Sequence, residues 1–299
     1  MNNLTVVAIF KNESHILREW LEHYLQEGVD SFLLIDNGST DNPLEILAPY
    51  IESRIVELVT DSRRHRQAEL YNEYFLTKCR NSSWVMIVDL DEFLYARKGY
   101  QAIPDYLRTL DRSVGEIYIP WKNFGSSGFI TQPQSVTLSF THRAAYDGRE
   151  SIATIDGRLG LCKAIVRGRA LKRIKAHCSI TKRKMLSKFA HITSDGMAAS
   201  IHSNFQYVSE EILENSALQL NHYAIQSMEW FQQVKMTRGD SSSPKNENVR
   251  TLAYFKEHDF SDIIDPELAS KRAADLSGIW KATERRFQAS SMWDTTPVL

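Results

Sequence analysis

Trp84-Val85-Met86-Ile87-Val88-Asp89-Leu90-Asp91-Glu92-Phe93 is the stretch from which the rest of the chain can be read. Five apolar residues, three of them β-branched, predict a strand buried on both faces, and the run stops abruptly in acidic side chains. On a strand, positions i and i+2 share a face, so Asp89 and Asp91 should emerge together while Leu90 points the other way. Paired carboxylate oxygens of this kind suit a hard divalent cation, Mn2+ or Mg2+. The bland alternative is that the aspartates only end the strand, as acidic residues do in turns.

Upstream, the same alternation recurs three times. Leu4–Phe10, Phe32–Asp36 and Ile55–Thr60 read as strands, and Ile16, Leu17, Trp20, Leu21, Tyr24 and Leu25 recur at helical spacing between the first two. Leu70, Tyr71, Tyr74 and Phe75 do the same ahead of Trp84. Gly28 should end the first helix. Asn42, Pro43 and Glu45 form an N-cap, first-position proline and capping-box pattern for the second. Strands alternating with helices predict a parallel sheet, whose ligand lies beyond the carboxyl ends of the strands. Lys11-Asn12-Glu13, Asp36 to Asp41, Asp61 to Arg66 and Asp89 to Glu92 each follow one predicted strand, so the four clusters should meet on one rim.

Beyond Asp91 the pattern loosens. Glu116–Pro120, Ser135–Phe140 and Lys163–Val166 read as strands of a mixed sheet, separated by loops such as Gly125-Ser126-Ser127-Gly128. From Glu210 the chain turns helical again, including Glu229–Lys235 and a long segment from Pro266 to about Gln288. Residues 239–246 read as a polar loop.

The 299 residues hold 36 Lys and Arg against 37 Asp and Glu, a net charge of -1 with a pI near 6.8, and 42% are hydrophobic. This is ordinary globular composition, and near-neutral charge gives no broad attraction to nucleic acid. Cys79, Cys162 and Cys178 are widely spaced, with no Cys-x-x-Cys pair, which suits a reduced, cytoplasmic setting. No run approaches the ~20 apolar residues of a membrane span, so membrane contact would be peripheral. The basic runs Arg167–Arg173 and Lys182–Lys184 could face anionic lipid or an anionic glycan, a solvated surface being the ordinary reading.

Taken in order and spacing, the motifs resemble glycosyltransferases of the GT-A fold, of the family 2 and family 92 type. The residues that carry the resemblance are Asn12-Glu13, Asp36 to Asp41, Gln67 with Tyr71-Asn72, and Asp89 to Phe93. Trp121 to Gly128, Leu220-Asn221-His222-Tyr223, Ser227, Lys235, Arg238 and Gly239 complete it. The likeness spans about residues 4 to 240. It implies a GT-A (Rossmann-like) α/β fold: a mostly parallel central sheet with flanking helices, a mixed acceptor half and a helical C-terminal region. The expected division is 1–240 for the transferase domain, with 1–95 for the nucleotide sugar and 96–240 for the acceptor, and 241–299 for a loop and helical extension.

The implied activity is metal-dependent transfer of a sugar from a nucleotide sugar, by expectation a UDP-sugar, to a glycan or glycolipid hydroxyl, with inversion. Asp91 is then the first metal ligand, Asp89 is shared between metal and ribose or acts as a second ligand, and His222 is the candidate third ligand. Asn12, Glu13, Asp36, Arg66, Lys235 and Arg238 fall to the donor, the cations meeting its phosphates through charge-assisted hydrogen bonds. Inversion also needs a carboxylate base on the acceptor side. Asp147, Glu150, Asp156 and Asp195 lie there and Glu92 adjoins the metal motif; of these, Glu150 and Asp195 are the candidates for the base. The resembling proteins often carry Glu-Arg-Phe where this chain has Leu138-Ser139-Phe140, a departure on the acceptor side. Two other readings stand beside this one. One is a non-catalytic carbohydrate-binding scaffold of the same fold. The other is a phosphatase of the haloacid dehalogenase type, poorly matched because Phe93 stands where such enzymes place threonine and three strand–helix units precede the motif. The expected place is the cytoplasm, at a membrane surface if the acceptor is assembled there.

Overall fold

The computed structural model describes residues 3–151, 154–155, 158–159, 162–177, 179–182, 189–198, 207–238 and 250–275. The N-terminal third follows the predicted alternation: β1 (Leu4–Phe10), α1 (Ser14–Gln26), β2 (Ser31–Asp36), α2 (Pro43–Glu52), β3 (Val56–Thr60), α3 (Gln67–Tyr74), α4 (Leu76–Asn81) and β4 (Trp84–Ile87). β5 (Glu92–Ala96), α5 (Ile103–Thr109) and β6 (Val114–Asn123) come next. Among the described residues the main sheet has nine strands. Its order is β3, β2, β1, β4, Cys162–Arg167, β6, Leu218–His222 and β5, with Ala190–Thr193 also beside β6. β1 pairs in parallel with β2 and β4, and β2 with β3. Cys162–Arg167 runs antiparallel between β4 and β6, so the expected mixed region is threaded into the middle of the sheet.

α1 explains why the β4–β5 turn is held where it is. Its apolar face buries Ile16, Leu17, Trp20, Leu21 and Tyr24 completely. Burying such side chains contributes about 1.5–3 kcal/mol each. The two aromatics also carry polar tips: Trp20 Nε1 donates to Asp89 O at 3.0 Å, and Tyr24 Oη donates to Glu92 O at 3.0 Å while accepting from Leu94 N. Hydrophobic packing thus fixes the backbone of the acidic turn.

Two local readings give way to tertiary contacts. Asn42 sits in the left-handed region, φ 57°, and makes no capping hydrogen bond. The loop before it is tied to the loop after β1, with Thr40 N donating to Asn12 Oδ1 and Ser14 N to Asp41 Oδ2, both at 2.8 Å. Those bonds draw the chain out of the capping geometry. The stretch Ser135–Phe140, expected as a strand, is a short helix, Val136–Ser139. Glu19 on α1 accepts from Val136 N and Thr137 N and from the hydroxyls of Ser135 and Thr137. A carboxylate aimed at those amides offers them partners that no strand neighbour supplies.

The C-terminal helix is seen as Glu267–Asp275, the remainder of the expected 266–288 segment lying outside the described residues. Just before it, Ile263–Ile264 pairs with His142–Arg143, and Asp265 accepts from Lys122 Nζ at 2.9 Å and Arg143 Nε at 2.6 Å. Among the described residues no helix is long and apolar enough to cross a membrane.

Candidate functional site

The strand β4 ends at Ile87, and Asp89 and Asp91 fall in the turn that leads to β5. Strand alternation therefore no longer governs them, and the two carboxylates part. Asp89 turns toward Lys163, Nζ to Oδ2 at 2.6 Å, with Gln67 Nε2 at 3.3 Å from its other oxygen. Asp91 turns toward Lys235, Nζ to Oδ2 at 2.6 Å, and its Oδ1 lies 3.8 Å from His222 Nε2. Between them Glu92 is fully buried, its Oε2 accepting from Asp89 N at 2.8 Å and lying 3.3 Å from Lys163.

Leu218–His222 brings the histidine in by pairing with β5 on one side and β6 on the other, so His222 stands in register with both Glu92 and Asn123. Its Nδ1 is 3.1 Å from Asn123 Oδ1 and its ring lies against Trp121, tilted by 36° with centroids 4.3 Å apart. An amide oxygen accepts only, so Nδ1 carries the proton and Nε2 presents a lone pair toward Asp91. Ligand atoms of Asp91, Glu92 and His222 lie within 4.8 Å of one another, and Glu92 Oε1 has no hydrogen-bond partner among the described residues. Two carboxylates and a neutral imidazole whose far nitrogen is oriented by an amide suit a divalent cation such as Mn2+.

The charges are shaped by burial. Burial drives Glu92 well above the usual carboxylate range, with Lys163 opposing and Asp89 and Asp91 adding to the rise. Burial would also raise Asp91, but Lys235 and His222 outweigh it and hold the carboxyl well below its ordinary value. His222 is pushed down to about 4 by burial, against the pull of Asp91, and so is neutral near pH 7. Lys163, wholly buried, is nonetheless raised, because Asp89 and Glu92 overcome its desolvation.

Next to this cluster, Arg238 Nη1 reaches Glu13 at 3.0 Å and donates to Lys11 O at 2.9 Å. Lys235 ends a π-helical turn, Phe231–Lys235, between the helical pieces Met228–Trp230 and Met236–Arg238. Asn12, φ 54°, holds Thr40 through its side chain. Asp36 is buried and accepts from Ser39 N at 2.8 Å, so it braces its own loop. Arg66 is not brought in: it is exposed and paired with Glu69 at 2.6 Å. Nor is Asp195, which caps its own turn by accepting from Thr193 Oγ1 and Met197 N. The side chain of Glu150 lies outside the described residues, as do Asp156, Cys178 and the 239–246 loop. Lys163 is the site residue that the motifs did not supply. Its signal was a lone charge inside the otherwise apolar run Cys162 to Val166.

Parallel strands that deliver acidic loops to one rim, with helices on the flanks and a mixed half carrying a histidine back to that rim, define the GT-A class of α/β fold. Residues 6–263 match the family model described as Glycosyltransferase family 92. The chain belongs to that family. A family 92 protein of Oryza sativa subsp. japonica is 29% identical over 161 residues, covering 52% of this chain and 27% of the relative. One from Ricinus communis is 24% identical over 152 residues, covering 48% of this chain and 26% of its own length. The chain thus spans about a quarter of the length of these curated relatives. The crystal structure of S. aureus TarS is similar with a TM-score of 0.36 and 16% identity, over 64% of this chain and 37% of that one.

Proposed function

We propose that the chain transfers a sugar from a nucleotide sugar, a UDP-sugar, to a hydroxyl of a glycan or glycolipid at a membrane surface, with inversion and with Mn2+ or Mg2+. The observation that carries this reading is the juxtaposition of Asp91, Glu92 and His222 with Lys235 and Arg238 beyond the ends of β1 and β4. Asp91 and His222 would hold the cation with Glu92 beside them. Asp89, anchored by Lys163, would serve the ribose as well. When bound, the cation offsets the negative charge that develops on the departing diphosphate.

Charge balance favours this occupant. Around Glu92, whose charged form burial disfavours, Glu13, Asp89 and Asp91 face Lys163, Lys235 and Arg238. A dication arriving with a diphosphate changes that balance little. Lys235 and Arg238 would exchange carboxylate partners for phosphate oxygens, a change that costs little because one charge-assisted bond replaces another. Asn12 holds the loop after β1 against the loop after β2, which Asp36 braces from within, and together they would shape the floor for the nucleoside.

The test is thermal stabilisation by UDP-, GDP- and CMP-sugars with and without Mn2+, followed by donor hydrolysis and transfer to glycan acceptors. Asp91→Asn is expected to lower turnover at least 100-fold with an unchanged far-ultraviolet circular dichroism spectrum, since a charged ligand is lost without change of shape. Full activity in that variant would sink the assignment. Binding without turnover on any donor would favour a scaffold, and phosphate release from simple monoesters would favour a phosphatase.

A further inference from the structure

Residues 163–182 hold seven Lys and Arg and no Asp or Glu, in a chain whose net charge is -1. One of the seven, Lys163, serves the site. The described structure gathers others into one corner. Gly168 begins a single 3-10 turn, Gly168–Ala170, laid on the end of α4; a Cβ there would meet Ser82 O at 2.1 Å and Cys79 O at 2.3 Å. That close approach sets Arg167 and Arg169 on either side of the contact.

Arg80, Arg167 and Arg169 donate some of their N–H groups to backbone carbonyls and, among the described residues, keep others free. Arg167 lies over the Trp84 ring at 4.1 Å and donates to Val114 O and Asp111 O, at 2.7 and 3.0 Å. Arg169 donates to Arg112 O, and Arg80 to Lys172 O at 2.8 Å. These bonds fix the guanidinium groups without supplying a counter-charge. None of Arg80, Arg112, Arg169, Lys172 and Arg173 pairs with a carboxylate of the described residues, and all five are exposed. Asp111 is the acid that acts on Arg167, and its carboxylate is turned to Ser113 N. Beside Lys172 and Arg173, Ile180 is 38% exposed over a hollow of about 530 Å³, at whose edge Glu69 is already paired with Arg66.

Arg167 is in register with Trp84, the first residue of β4, whereas the acidic turn follows the last. At about 3.3 Å per residue, the two features stand on the order of 15–20 Å apart, at opposite ends of the sheet. Arg167 and the turn that follows it therefore lie away from the donor site.

We propose that this corner docks the protein on a membrane through the phosphates of anionic phospholipids. Fixed guanidinium forks match phosphate oxygens, and an exposed apolar side chain among them can enter the interface. Each basic residue near an anionic bilayer strengthens binding about fivefold. The proposal deepens the membrane-surface part of the functional reading by naming the surface.

The experiment is co-sedimentation of the full chain with phosphatidylcholine vesicles, with and without phosphatidylglycerol, across a salt series. Binding is expected only with phosphatidylglycerol and should weaken with salt. The variant R169E/K172E/R173E should bind at least 100-fold more weakly with an unchanged melting temperature, whereas K98E, an exposed lysine outside the corner, should bind as the parent does. Equal binding to both vesicle types, or full binding by the triple variant, would overturn the proposal. Binding to soluble dextran sulfate without sedimentation on vesicles would overturn it too, assigning the corner to a polyanionic chain. No donor or turnover enters the readout, so its failure leaves the transfer reading standing, and the reverse.

Discussion

Lys163 sits at 0% exposure between two carboxylates, and its ammonium is what allows Asp89 and Glu92 to approach each other at the end of an apolar strand. Removing one partner of a buried ion group leaves the others uncompensated, which costs far more than the intact group contributes. Lys163→Met keeps most of the side chain's unbranched stem and should destabilise the fold by about 3 kcal/mol, read by urea denaturation at pH 7. A loss under about 1 kcal/mol would mean that the carboxylates find other partners. The acidic residues of this cluster were legible in the chain because they interrupt an apolar run. Lys163 was equally interruptive, yet only pairing of its strand with β4 reveals that it interrupts toward Asp89.

At the scale of elements, the end of β6 and the segment before the C-terminal helix depend on each other. Gly125 admits the backbone of Phe260, and a Cβ there would stand 2.2 Å from Phe260 O and 2.6 Å from its N. Gly125→Ala should therefore push the 259–265 segment away and loosen the grip of Asp265 on Lys122 and Arg143. The expected cost is about 2 kcal/mol, seen as a lower melting temperature in calorimetry. An unchanged melting temperature would show that the segment gives way freely. Helices and strands with strong periodicity, α1 and β1 to β4 above all, were readable to within a few residues. Val136–Ser139 was not, because Glu19, more than 100 positions away, decides its backbone.

For the molecule as a whole, pH acts also through carboxyls buried outside the acidic turn. Glu116 on β6 is fully buried, accepting from Ser179 N and from Tyr118 Oη, and burial lifts it from 4.5 to about 8. Between those values the folded chain holds a proton that the unfolded chain has released. Stability is thus fullest below about pH 4.5 for this group and is lost as the pH rises through 8. Glu27, raised to about 7 by burial against the pull of Lys271, acts in the same sense. Glu116→Gln should flatten the decline in unfolding free energy from pH 5 to 9 by up to about 4 kcal/mol, the slope from Glu27 persisting. Denaturation curves that decline equally in both proteins would assign the pH response elsewhere. The near-zero net charge says nothing of this, since carboxylates and cations cancel in the sum while standing in separate clusters.

The sequence by itself determined the alternation of strands and helices, the rim on which the acidic loops meet, and the residue types that gather there, because periodicity and turn chemistry are local properties of the chain. Only the tertiary structure decided that Asp89 and Asp91 part company, that Lys163 stands between Asp89 and Glu92, and that Arg66 and Asp195 stay outside. Those outcomes depend on which strands become neighbours and where burial strips water from a charge, and strand pairing across 70 or more residues leaves no periodic trace in the sequence.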